Sequence, residues 1–144
     1  MDPRRQRNVC AAGVYSPLRE RELDVAIGVV GSTGNTALTS SLAAGRVIEL
    51  DRRQLRETPV NEPLVNWASL HVHEAMDAVL LTRGYSCEAT DAELLSARTS
   101  LLEDALGATA AGAAGLVGLR AFCHRLDRAA AHVVILTAWI TESA

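Results

Sequence analysis

The stretch IGVVGSTGNTALTSSLAAGRVIEL, Ile27 to Leu50, decides how this chain is read. The apolar run leading into it, DVAIGVV at 24–30, does not alternate with polar residues, as expected of a strand covered on both faces. Gly31-Ser32-Thr33-Gly34-Asn35-Thr36 then reads as a loop able to hold a small anion, because amides exposed ahead of a helix attract negative charge. Residues 35–44 are predicted to be a short helix, with Asn35 as N-cap and Gly45 as its stop. Two readings follow for Ser32, Thr33, Gly34 and Asn35: a loop that grips a ligand, or an ordinary strand-to-helix turn.

Composition narrows the choices. The 144 residues are 49% hydrophobic, enough for one domain with a real core. That core must be aliphatic, since Tyr15, Trp67, Tyr85, Phe122 and Trp139 are the whole aromatic content. A net charge of -3 argues against nucleic-acid or membrane-surface binding. Cys10, Cys87 and Cys123 are odd in number and far apart, which fits reduced thiols in a cytoplasm and not a disulfide frame or zinc site. No run approaches the roughly eighteen apolar residues of a membrane span. All fourteen basic residues are arginine. Without lysine the chain alone cannot form a Schiff base through a side-chain amine.

The remaining pattern alternates strand and helix. Residues 1–23 are expected to be a partly disordered arm, its charged start at 1–7 a solvated tail, and 24–144 a single α/β domain. Residues 46–63 are polar and hold two prolines, a loop. Residues 64–82 are predicted helical, with 78–82 a possible strand instead, and 85–89 a short extended segment. Thr90-Asp91-Ala92-Glu93 is a capping box opening a helix that Gly107 should end. A run of tiny side chains, 108–119, then leads into a helix ending near Leu126. Glycine inside a helix costs roughly 1 kcal/mol against alanine, so Gly112, Gly115 and Gly118 predict another backbone or a ligand lying very close. HVVILT at 132–137 is predicted to be a second buried strand. Strands separated by helices imply a parallel sheet, whose ligands sit beyond the carboxyl ends of its strands, after Val30 and after Leu136.

Three segments in order, IGVV…ALTSSLAAGRVIEL, ATDAELLSARTSLLEDALGATAAGAAGLVGL and HVVILT, resemble the carboxyl-terminal part of the fold-type II pyridoxal-phosphate enzymes. That group includes threonine synthase, threonine dehydratase and the tryptophan synthase β chain. The resemblance covers roughly 24–137 and implies a partial open parallel sheet with flanking helices. It implies that Thr137 stands where a hydroxyl bonds the cofactor's pyridine nitrogen, and that Gly112 belongs to a small-residue turn walling the pocket. Thr109 and Ala110 replace the Glu-Pro of many relatives, and Ala138-Trp139-Ile140 replaces a glycine-rich continuation. Nothing here resembles the amino-terminal half, which brings the Schiff-base lysine and the phosphate cup. GSTGNT also resembles that family's substrate-carboxylate loop, S-[ST]-G-N-[TH], yet the residues after it match the late strand-helix unit, which favours the plain turn.

Other candidate chemistry is sparse. His73 and Asp77 share a helix face but lack a third ligand, so His71-Val72-His73-Glu74 reads as a solvated face and not a metal site. Cys123 is expected to be a buried thiol, and Glu88, Asp91 and Glu93 to serve in capping rather than acid-base work. No residue is assigned a catalytic role. The resemblance implies a split subunit of a β-elimination or β-replacement enzyme acting on a serine- or threonine-like amino acid. Pyridoxal phosphate would bind only in complex with a lysine-bearing chain. A non-catalytic module pairing with a complete relative, and a small anion-binding α/β protein, are the alternatives. An unpaired half-sheet exposes edge amides, so the isolated chain is expected to be oligomeric, poorly soluble or partly molten.

Overall fold

A computed structural model describes residues 9–127 and 129–136. It holds five helices and one two-stranded parallel sheet, an α/β arrangement. In chain order these are α1 (Val9–Glu20), β1 (Gly28–Ser32), α2 (Ala37–Ala44), α3 (Val72–Leu81), β2 (Tyr85–Ala89), α4 (Asp91–Glu103) and α5 (Ala114–Phe122). Single 3-10 turns lie at Glu62–Leu64 and Ala111–Ala113.

β1 and β2 pair from Gly28 opposite Tyr85 to Ser32 opposite Ala89. Both faces of β1 are covered, which is why its apolar run does not alternate with polar residues. Val29 packs on one side against Leu38, Val72, Ala75 and Met76 of α2 and α3. Val30 packs on the other against the cluster of Ala89, Leu94, Ala114 and Val117. The expected close approach is real at Gly115 and Gly118. A Cβ on Gly118 would fall 2.6 Å from Val30 Cγ2, so only glycine lets α5 lie on the sheet at this distance. A Cβ on Gly115 would fall 2.8 Å from Val134 Cγ1 and 3.2 Å from the Ile135 carbonyl oxygen. The core is correspondingly built of alanine, with Ala37, Ala75, Ala78, Ala89, Ala97, Ala108 and Ala113 wholly buried. Such side chains bury little area each, so cohesion depends on short distances between backbones.

The helix signals act as their chemistry requires. Gly45 takes a left-handed φ of 65°, and the amides of Gly45 and Arg46 bond Leu42 O and Ser41 O, closing α2. Thr90 and Glu93 form the full capping box: Glu93 N donates to Thr90 Oγ1 at 3.3 Å, and Thr90 N donates to Glu93 Oε2 at 2.8 Å. These bonds to the Thr90 amide and hydroxyl hold the Glu93 carboxyl below its ordinary range.

Several boundaries differ from expectation, each for a local reason. The strand begins at Gly28, since Asp24 is drawn to Arg83 at 3.3 Å and Ile27 N is taken by Thr82 Oγ1. The predicted helix at 64–82 shrinks to α3, because Asn66 N bonds Asn35 O and Trp67 O accepts from Leu50 N. α4 stops at Glu103, ahead of Gly107: Ala105 adopts φ 57° and Leu106 N bonds Leu101 O. α5 ends at Phe122. The expected arm at 1–23 contains α1, with Ala11 packed beside the Leu38 and Val72 cluster.

The largest departure is at 132–136. These residues form no strand, and Val133 is 87% exposed. Among the described residues nothing pairs with them, and a strand exists only through its neighbour. Among the described residues, too, no helix is long and apolar enough to cross a membrane.

Candidate functional site

The carboxyl ends of β1 and β2 gather the chain's buried polar residues. Ser32, Asn35, Thr36, Thr39 and Ser41 come from the turn and α2, and Asn61 and Asn66 from the long loop. Gly31 makes this packing possible, since a Cβ there would fall 2.6 Å from Thr36 Cβ. Gly34, at φ 68°, supplies the left-handed residue of the turn.

The four amides of 32–35 are all bonded within the protein. Ser32 N donates to Thr36 Oγ1 at 2.9 Å, Thr33 N to Ala89 O at 3.1 Å, and Asn35 N to Ser32 O at 3.0 Å. Gly34 N donates to Glu88 Oε2 at 3.0 Å, and Thr39 Oγ1 donates to Glu88 Oε1 at 2.9 Å. The turn does therefore hold a carboxylate, and it is the chain's own. Pairing of Gly31 with Glu88 is what carries that side chain to the turn.

Asn35 is not the helix cap that its position predicted; Thr36 precedes α2, and without a side-chain capping bond. Asn35 Nδ2 instead donates to Ser32 Oγ at 3.1 Å and Thr33 O at 3.0 Å, while its Oδ1 accepts from Arg56 N at 2.7 Å. Thr36 Oγ1 also donates to Leu64 O at 2.9 Å. The loop after α2 is thus stitched over the strand ends. Thr58 Oγ1 reaches Asp91 Oδ2 at 2.7 Å, and Asn61 Oδ1 accepts from Thr58 N at 2.9 Å. Arg56, Thr58, Asn61 and Asn66 escaped sequence reading. Their one signal was Thr58-Pro59-Val60-Asn61, residue types that bond their own backbone in turns.

Thr109 and Gly112 are brought together in the small-residue turn, where Gly112 N donates to Thr109 Oγ1 at 2.9 Å. The Thr109 hydroxyl is half-buried and caps its own turn. Ala110 and Leu64 both pack on the cluster around Leu94, so this turn and the stitched loop meet beyond the strand ends. Thr137 and Trp139 lie outside the described residues. His73 and Asp77 are exposed on α3, and His71 sits 3.6 Å from Glu74. Among the described residues no group of three or more His, Cys, Asp or Glu could hold a metal ion. Cys123 is exposed, contrary to expectation, because α5 turns its Val117 and Gly118 face inward. Cys87 is half-buried under α5, and burial, then the Glu93 and Glu88 carboxylates, push its thiol up, away from a nucleophilic thiolate.

Pyridoxal phosphate does not fit the described residues unaided. The chain has no lysine, Glu88 fills the anion turn, and the Gly112 amide is spent on Thr109.

No protein-family model and no curated protein matches the chain. In fold it is similar to a crystal structure of threonine deaminase from T.th., with a TM-score of 0.65 and 17% sequence identity. The match covers 82% of this chain and 42% of that one. The chain thus has an α/β fold matching part of the threonine deaminase fold, and spans less than half of that protein's length.

Proposed function

We propose that this chain is one part of a pyridoxal-phosphate-dependent enzyme, completed by a partner chain that carries the lysine and the phosphate cup. The resemblance points to elimination or replacement at the β-carbon of a serine- or threonine-like amino acid. One observation carries the reading: likeness to threonine deaminase extends over 82% of this chain but 42% of the other. The missing lysine supports it from the chemical side. So does the open sheet. The flanking bonds, Tyr85 N to Ile27 O and Thr33 N to Ala89 O, set the alternation of the ladder. The amides and carbonyls of Gly28 and Val30 then face away from β2, on a strand with no charge or proline to guard its edge. In the assembly this chain supplies scaffold and pocket wall through the Thr109–Gly112 turn, and Thr137 is its candidate contact to the cofactor ring.

The occupied turn favours a second reading, a non-catalytic module that pairs with a complete relative. Native mass spectrometry of the chain isolated gently from its source cells separates them. The first reading expects a stoichiometric complex with a lysine-bearing chain of the complementary segment, and borohydride fixing the cofactor to that chain. A full-length relative as partner selects the second. A lone chain or homo-oligomer without cofactor overturns both.

A further inference from the structure

We infer that the GSTGN turn is an anion site closed by its own ligand, the Glu88 carboxylate, and that this chain binds no external phosphate or carboxylate there. The inference deepens the partner reading, since it assigns anion recognition to the other chain, but it stands on separate observations.

Each backbone amide that an incoming anion would need is already engaged. The amides of Ser32, Thr33 and Asn35 serve Thr36, Ala89 and Ser32. The Gly34 amide and the Thr39 hydroxyl each hold a different oxygen of Glu88. Thr39 is buried, and its hydroxyl lies 2.9 Å from Glu88 Oε1 and 3.0 Å from Thr36 O; a bond to the charged oxygen is the stronger of the two. The register sets Glu88 opposite Gly31, so its exposed side chain need only cross from one strand end to the adjoining turn. A second anion would have to displace it or lie against it. Two unit charges about 4 Å apart repel by about 1 kcal/mol in water and about 4 kcal/mol near a protein surface. The turn that matches a substrate loop in residue type is therefore a clasp between β2 and α2. Its residues could serve an external anion only in a chain lacking a carboxylate at the position of Glu88.

The test is titration of the isotopically labelled chain, in whatever assembly it is isolated, with inorganic phosphate and then acetate, following the Gly34 amide by NMR. The expected result is no saturable movement of the Gly34 or Asn35 resonances. Glu88→Gln, an isosteric change, should move the Gly34 amide proton upfield as the charged acceptor is lost. Saturable movement of Gly34 in the wild type, or a Gly34 resonance indifferent to Glu88→Gln, overturns the inference. Neither result bears on whether a lysine-bearing partner co-purifies, so the two proposals fail separately.

Discussion

The turn after β1 and the segment after α5 begin from similar sequence and finish differently. Both are apolar runs with polar residues at their end, and both lie where a parallel sheet would place a ligand. Around the first, every amide from Ser32 to Asn35 has an internal acceptor, and Ser32, Asn35 and Thr36 are buried. Along the second, Val133 and Ile135 stand 87% and 50% exposed while Val134 and Leu136 lean inward over Gly115 and the Leu94 cluster. The first has β2 beside it and the second has no strand. An apolar run becomes a strand only when a neighbour takes its backbone groups.

That contrast can be broken by mutation, beginning in the turn. Asn35→Ala removes three bonds at once and strands the Arg56 amide and Ser32 hydroxyl, so it should cost about 3 kcal/mol. The midpoint of chemical denaturation reads this, and an unchanged midpoint would mean the turn is not the rigid half of the molecule. Thr36→Val keeps the shape but loses the bonds to Ser32 N and Leu64 O, for about 2 kcal/mol. Hydrogen exchange of the Ser32 amide should accelerate with it; preserved protection would refute the assignment.

Thr90→Ala, at the capping box between the two regions, should cost about 1 kcal/mol. Part of that effect is pH-dependent. The folded Glu93 carboxyl is depressed, so its stabilisation is complete above the ordinary carboxylate value of about 4.3 and fades as pH falls through the lower folded value. Because Glu93 is exposed and screened, the pH-dependent share is a few tenths of a kcal/mol. The gap between wild type and Thr90→Ala should therefore narrow on acidification below about pH 5; a gap that widened would reverse the sign given to Glu93.

The smallest change is expected in the tail. Val133→Asp should alter the stability of the chain by less than about 0.5 kcal/mol, because the side chain has almost no contacts to lose. If the tail is completed by a partner, the same substitution should weaken the complex at least about tenfold by placing a charge in an apolar contact, read by co-purification. Full stability with full partner binding would make the tail a plain surface segment.

Much of this fold was legible because its signals are local. Gly45 stops α2 since only a left-handed residue satisfies the last carbonyls, and Thr90 with Glu93 caps α4 within four residues. The spacing of Gly115 and Gly118 announced a close neighbour, and Ile135 and Val30 are that neighbour. Gly107 misled because Ala105 took the left-handed position two residues earlier, where the Leu106 amide reaches Leu101. The candidate site was half legible. The residues of the turn were found, but Asn35 was given a capping role, and Arg56, Thr58 and Asn61 were not seen at all. The bonds that tie them to the site, from the Arg56 amide to Asn35 and from the Thr58 hydroxyl to Asp91, span 21 and 33 residues, and no local spacing encodes them.

By itself the sequence determined the α/β alternation, the parallel pairing that follows from it, the Gly45 stop of α2, the capping box that opens α4, and the absence of a lysine nucleophile, because these rest on local bonds, on the order of strands and helices, or on composition. Only the tertiary structure decided what the GSTGN turn holds. Glu88 is 54 residues from Gly34 in the chain, and the strand register alone brings its carboxylate to that amide. The same holds for the tail at 132–136, whose sequence is fit for a strand and whose state depends on whether a backbone lies beside it.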